Sequence, residues 1–209
     1  MNMTIHDILK ILQEDIHTTI MASVDGCGNP HTCAIDMMLL EDETLYFLTA
    51  RGKALYQRLM NNPHIALTGL KGEDTMSSIA ISLQGKVKNI GHKKIEAIFQ
   101  KNSYMSQIYP NQQARDALEV FKIEECIGEY FDLSQKPIFR QSFSVGKKMS
   151  VQGYKVTDQC IGCQECYRVC PQKCIDITVK PVIIQQNHCL HCGKCYEVCP
   201  VKAIIKRGV

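Results

Sequence analysis

One cysteine pattern occurs twice between residues 160 and 200. It reads Cys160-x-x-Cys163-x-x-Cys166-x-x-x-Cys170-Pro171, then Cys189-x-x-Cys192-x-x-Cys195-x-x-x-Cys199-Pro200. Two-residue gaps let three thiolates converge from one tight loop, and the proline after the fourth cysteine delays the turn or helix that follows. This is the spacing of runs that ligate 4Fe-4S clusters. Zinc usually takes its four ligands as two spaced pairs. A disulfide scaffold belongs to a secreted chain with a signal sequence, and the segment Met1 to Leu12 is an amphipathic helix pattern without an apolar run of signal length.

The repeat extends past the cysteines. Residues 166–175, CYRVCPQKCI, superpose on residues 195–204, CYEVCPVKAI, so each half is one duplicated loop-helix unit. In this register Cys174 matches Ala203, and a thiol matched by a methyl reads as a small apolar packing residue. Tyr167 and Tyr196 suit either shielding of a cluster from water or ordinary packing. The doubled run resembles bacterial-type two-cluster ferredoxins. That resemblance implies a crossed ligand set: Cys160, Cys163, Cys166 and Cys199 for one cluster, and Cys189, Cys192, Cys195 and Cys170 for the other.

The run fills only the final quarter of 209 residues, so a larger domain precedes it. The expected division is a domain over 1–133, a polar linker over 134–154 and the cluster domain over 155–209. A formal charge of +3 with scattered basic residues gives no reason to expect nucleic acid, and nothing marks export or membrane insertion. Twelve cysteines without an export signal fit a reducing cytoplasm.

Thr4 is a helix cap ahead of an apolar stripe at Ile5, Ile8, Leu9, Leu12 and Ile16, a helix expected to end near Asp15. Strands are predicted over 18–24 and 31–40, joined by the turn cluster Asp25-Gly26-Cys27-Gly28-Asn29-Pro30, and then over 44–49, 65–70, 78–90 and 117–133. Helices are predicted over 53–61 and 92–101. Six short strands with few helices argue for a barrel.

The segments Leu45-Tyr46-Phe47-Leu48-Thr49-Ala50-Arg51-Gly52-Lys53-Ala54, Asn61-Asn62-Pro63-His64-Ile65-Ala66-Leu67 and Gln84-Gly85-Lys86-Val87 carry a second resemblance. In this order they resemble the FMN-binding split-barrel family typified by pyridoxamine 5'-phosphate oxidase. The resemblance implies a mainly β split barrel with flanking helices, followed by the small α+β ferredoxin-like domain. It also implies a homodimer with FMN at the subunit interface. Carried onto this sequence, Thr49, Ala50 and Arg51 would line the flavin and Lys53 would hold its phosphate, while Asp36, Met37 and Met38 would contact it largely through backbone groups. Family members often have arginine where Asp36 stands. A helix start beside Arg51-Gly52-Lys53 suits phosphate on physical grounds, because unpaired amides and two cations meet a flexible glycine. Residues that hold pyridoxal phosphate in the oxidase have no convincing match, which argues against vitamin B6 synthesis.

His188 and His191 flank Cys189 and are candidates for tuning a cluster by hydrogen bonds, whereas Cys27, Cys33 and Cys126 read as structural. Arg140 and Phe143, in the expected linker, are candidates to cover the flavin. Clusters move single electrons and a flavin handles one or two, so the two halves imply an oxidoreductase. An external ferredoxin or reductase would supply or take electrons, and a small-molecule acceptor would be reduced. Alternatives are a non-enzymatic electron carrier or redox sensor, and haem in place of flavin in the barrel.

Overall fold

A computed structural model describes residues 3–149 and 152–208. Met1 and Asn2, part of the expected N-terminal helix pattern, and residues 150 and 151 of the expected linker lie outside them. The chain forms two compact units, one of residues 1–72, 80–130 and 143–148, the other of residues 73–79, 131–142 and 149–209.

The first unit is built on an antiparallel sheet curled into a half-barrel. Its strands are β1 (Thr18–Val24), β2 (Pro30–Asp36), β3 (Leu39–Glu41), β4 (Thr44–Ala50), β5 (His64–Lys71), β6 (Ile79–Asn89), β7 (Leu118–Asp132) and β8 (Phe139–Val145). They run in the order β2-β1-β5-β6-β7-β4-β3, with β8 also on β7. The predicted strand over 31–40 is thus two strands. At Met37 and Met38 the chain changes partner: Met37 N–H donates to the His17 carbonyl and Met38 N–H to that of Tyr46, carrying the backbone from β1 to β4. The polar stretch expected to be a linker contains β8 and the first residues of β9 (Gly153–Val156).

Helix α1 (Ile5–Lys10) starts where expected. Thr4 and Asp7 form a reciprocal capping box, and a π-helical turn, Ile11–Ile16, continues it. Leu12 and Ile16 from that turn pack over Gly69 on β5, where a Cβ would come within 2.9 Å of both side chains. Helix α2 (Ala54–Asn61) buries Leu55 and Leu59, and α3 (Ile95–Lys101) buries Ile95, Ile98 and Phe99, the three- and four-residue spacing of one helical face. The latter starts later than predicted because Lys94 has φ 72°, outside helical space. Two short helices follow, α4 (Met105–Ile108) and α5 (Gln112–Arg115). Across β4 and β7 Phe47 and Phe121 stack at 5.5 Å, with Tyr56 edge-on to Phe121 at 5.9 Å.

The second unit keeps the twofold repeat of its sequence. Helices α6 (Glu165–Val169) and α7 (Lys194–Val198) each follow the third-cysteine approach of a run. Strand β9 pairs antiparallel with β12 (Ile204–Arg207), and β10 (Ile175–Asp176) with β11 (Ile183–Ile184). Left-handed backbone recurs at matched positions: Gly162 and His191 at φ 74° and 55°, Gln164 and Gly193 at 64° and 80°, Lys173 and Lys202 at 51° and 52°. Tyr154, Ile175, Val182, Ile184 and Ile204 form the apolar core together with Cys166, Cys174, Cys189 and Cys195.

Gly85 is where β6 and β7 approach most closely. A Cβ there would lie 2.0 Å from the Glu125 carbonyl oxygen, so the backbone itself must move to admit one. Gly85→Ala is therefore expected to cost about 1–3 kcal/mol, the range for overpacking. Gly26→Ala, with nothing within 4 Å of its Cβ, should be near neutral. Thermal denaturation of the two variants checks this, and an unchanged midpoint for Gly85→Ala would contradict it.

Candidate functional site

Two cavities lie in the second unit, and each is bordered by cysteines from both runs. One is lined by Cys160, Cys163, Cys166 and Cys199, together with Ile161, Val182 and Ile204. The other is lined by Cys170, Cys189, Cys192 and Cys195, together with Ile184 and Leu190. All eight cysteines singled out in the sequence are thus brought together in two groups of four, with Cys170 and Cys199 each exchanged into the group of the opposite run.

The local fold explains the convergence. Each left-handed residue reverses the chain inside a run, turning three thiols inward from one loop, and the residue after the fourth cysteine begins the turn towards β10 or β12. Among the described residues no three His, Cys, Asp or Glu side chains close on a single-ion point. The cysteines ring a volume instead, with an apolar surround, and this donor set fits iron-sulfur clusters. Backbone amides already point at the sulfurs: His191 N–H donates to Cys189 Sγ at 3.4 Å and Ala203 N–H to Cys199 Sγ at 3.2 Å.

The second cavity is the more elaborated. Cys174 borders it as a fifth thiol, 3.6 Å from Cys170 Sγ and hydrogen-bonded to Cys189. That bond, more than burial, pushes the Cys174 thiol up, and the same bond draws Cys189 down to about 6. Burial raises Cys195 to about 11 and also raises Cys166. His188 Nδ1 lies 2.8 Å from the Ile138 carbonyl, with Phe139 edge-on to its ring at 6.4 Å. The buried His191 Nε2 has no hydrogen-bond partner, and burial, with Arg140 nearby, lowers its pKa. Cys174 is therefore more than a packing residue. Tyr196, 52 % exposed, is not a core position, and its ring is tilted against that of the buried Tyr154.

The flavin stretch inferred from the first unit is dispersed along one end of the sheet. Arg51, Gly52 and Lys53 are exposed at the start of α2, and a Cβ on Gly52 would meet nothing within 4 Å, so the helix start is open to an anion. Lys53 is the N-cap, with no side-chain cap bond. Thr49 is buried with its Oγ1 lacking a hydrogen-bond partner. These residues fit a phosphate-bearing group. Arg51 also reaches Glu119 at 3.4 Å, which accepts from Tyr56 at 2.8 Å and from Asn89 at 2.6 Å. The Asn89 bond leads in holding the Glu119 carboxyl below its usual range. No sequence signal marks this hub, whose members lie in the turn after β4 and on α2, β6 and β7.

Met37 and Met38 have buried side chains, and their amides are spent on the β2–β3 corner. Asp36 accepts from Thr18 at 2.7 Å and from Tyr104 at 3.0 Å, and the Tyr104 hydroxyl also lies 2.9 Å from His17 Nε2. Burial ahead of the Asp36 bond pushes the Tyr104 phenol up to about 12. Phe143 is buried against Gly128, and Arg140 stands beside Cys189 and His191 in the second unit. Cys27, Cys33 and Cys126 are free thiols.

Comparison with known proteins follows this division. Residues 6–126, more than half of the chain, match the family model for pyridoxamine 5'-phosphate oxidase, and residues 159–203 match that for a 4Fe-4S dicluster domain. No curated protein matches in a sequence comparison. Among solved structures, a NimC/NimA family protein from Clostridium acetobutylicum aligns with TM-score 0.56 and 17% identity, over 68% of this chain and 92% of that one. A protein of the same organism related to general stress protein 26, of the pyridoxinephosphate oxidase family, gives 0.51 and 14% over 68% and 97%. A heme binding protein from Mycobacterium smegmatis gives 0.51 and 10% over 69% and 59%. At these identities the likeness is one of fold. No helix among the described residues is long and apolar enough to cross a membrane. The two family matches support a redox, electron-transfer protein. The chain belongs to the pyridoxamine 5'-phosphate oxidase family through its N-terminal split barrel and carries a 4Fe-4S dicluster domain behind it.

Proposed function

We propose that this protein is an iron-sulfur flavoprotein oxidoreductase that passes electrons between two 4Fe-4S clusters and FMN to reduce a small-molecule acceptor. The observation that carries the reading is the pair of four-cysteine cavities in a chain whose other unit matches the oxidase family. Bound clusters supply one-electron steps and bound flavin couples them to two-electron chemistry.

The chain's own residues divide the work. Cys160, Cys163, Cys166 and Cys199 would hold one cluster, and Cys189, Cys192, Cys195 and Cys170 the other. Ile161, Val182, Ile184, Leu190 and Ile204 give the two volumes an apolar lining, and the His191 and Ala203 amides would stabilise thiolate charge. Lys53 and Arg51 would take the flavin phosphate, with Thr49 and Ala50 along the strand end. In this reading the protein is a homodimer working in a reducing cytoplasm, and its redox partner is an external ferredoxin or reductase. Its twelve free cysteines agree with that compartment.

Anaerobically purified protein should contain about eight irons and eight acid-labile sulfides per chain, together with flavin absorption bands. Stoichiometric zinc without iron would defeat the cluster assignment, and a Soret band in place of flavin bands would move the barrel to haem. With a low-potential donor such as reduced ferredoxin, stopped-flow spectra should show cluster bleaching ahead of flavin bleaching, and flavin reduction should slow in Cys163→Ser. Equal flavin rates in the two proteins would break the serial path.

Lys53→Ala should weaken FMN binding by about 1.5–3 kcal/mol, the value of a charge-assisted hydrogen bond to phosphate. Fluorescence titration of the apoprotein measures it. Wild-type affinity would remove Lys53 from the site.

A further inference from the structure

The two halves of the cysteine unit share a backbone but differ in what surrounds their thiols. Cys174 and Ala203 occupy matched positions, and each borders the cavity built mainly by the opposite run. Only the thiol can donate a hydrogen bond, and it lies against two cysteines of the second cavity, Cys170 and Cys189. The apolar methyl of Ala203 offers the first cavity nothing comparable.

A second difference comes from residues 138–140. The Ile138 carbonyl receives His188, the residue before Cys189, and Phe139 packs on the same imidazole. This anchoring holds Arg140, two residues past Ile138 and with its guanidinium 4.9 Å over the Phe131 ring, on the side of the second run. In the first run the residue matched to His188 is Gln159 and the one matched to His191 is Gly162, so this docking has no equivalent there.

A reduced cluster carries one more negative charge than an oxidised one. A nearby cation and an S–H donor to the ligand sulfurs both favour the reduced form, and hydrogen bonding to the sulfurs is one of the established controls of cluster potential. We infer that Arg140 and Cys174 hold the second centre at a higher reduction potential than the first, so that a single electron entering the pair rests on the Cys170/Cys189/Cys192/Cys195 side. Arg140 and Cys174 are tuning residues and not ligands. The inference rests on the two-cluster reading above and adds an order to it.

The test is an anaerobic redox titration of the full-length protein followed by electron paramagnetic resonance, after iron and sulfide analysis of each sample. Wild type should show two separated midpoints. Arg140→Gln and Cys174→Ala, the latter copying the opposite half, should each lower the higher midpoint and narrow the gap. Either should cut the second-to-first electron partition about tenfold, about 59 mV for a one-electron couple. Ala203→Cys should narrow the gap from the other side by raising the lower midpoint, which keeps the test alive if Cys174→Ala fails to assemble. Arg140→Lys should retain most of the separation, because charge and not shape is the agent.

Samples with two intact clusters but coincident wild-type midpoints would overturn the ordering and leave the cluster reading standing. So would a gap that none of the three substitutions narrows. A wild-type sample lacking the iron of two clusters would fail at the analysis step and take both readings with it.

Discussion

The second unit depends on sulfur. Its core holds a handful of aliphatic side chains, and four of the nine most buried members of that core are cysteines. A domain of this size buries too little hydrocarbon to stand on apolar contacts alone and needs a covalent or metal staple. The thiols ring two volumes as well as entering the core, so thiolate-metal bonds to the proposed clusters would supply what packing does not, and loading would then couple to folding. The short helices α6 and α7 and the two-residue strands β10 and β11 are too small to persist by themselves. They are held by the loops between them.

The first unit is stabilised in the opposite way. Phe47 and Phe121 stack across β4 and β7 with Tyr56 of α2 edge-on to Phe121, while α1 with its π-helical continuation and α3 bury apolar side chains. Close backbone approach is admitted by glycine at Gly85 and at Gly128, where a Cβ would come within 2.4 Å of the Phe143 ring. What this scaffold positions is one sheet end. There the strand β4 runs out into Arg51-Gly52-Lys53 and a helix start, and Glu119 ties Arg51, Tyr56 and Asn89 together.

Local signals in the sequence were read well and tertiary ones were not. Thr18–Val24 forms the predicted strand because β-branched and apolar alternation meets a dense turn, and Thr4 caps the predicted helix because Asp7 sits three residues on. Short spacing within each run makes the convergence of its first three cysteines legible, whereas the exchange of Cys170 and Cys199 is what the resemblance to two-cluster ferredoxins implies. Strand β8 was missed: proline at 137, glycine at 146 and a mostly polar composition read as loop, but its backbone pairs with β7. The corner at Met37 and Met38 was hidden inside a continuous strand pattern, since only the partner strand changes there. The partners that Cys174 and Arg140 meet are hidden for the same reason: Cys189 stands 15 positions from the one, and His188, which anchors the segment of the other, stands 50 positions from Ile138.

The matched left-handed residues of the cysteine unit have a broader meaning. Such a backbone favours glycine, yet one half spends it on Gly162 where the other carries His191, and the glycine at 193 answers to Gln164. Lys173, at φ 51°, turns its ammonium back onto the Tyr167 and Arg168 carbonyls and closes the end of α6. The path of the chain is thus a mould that accepts different side chains at a modest conformational cost. A unit copied once inside a chain can in this way keep its shape while its two copies take up different chemical work.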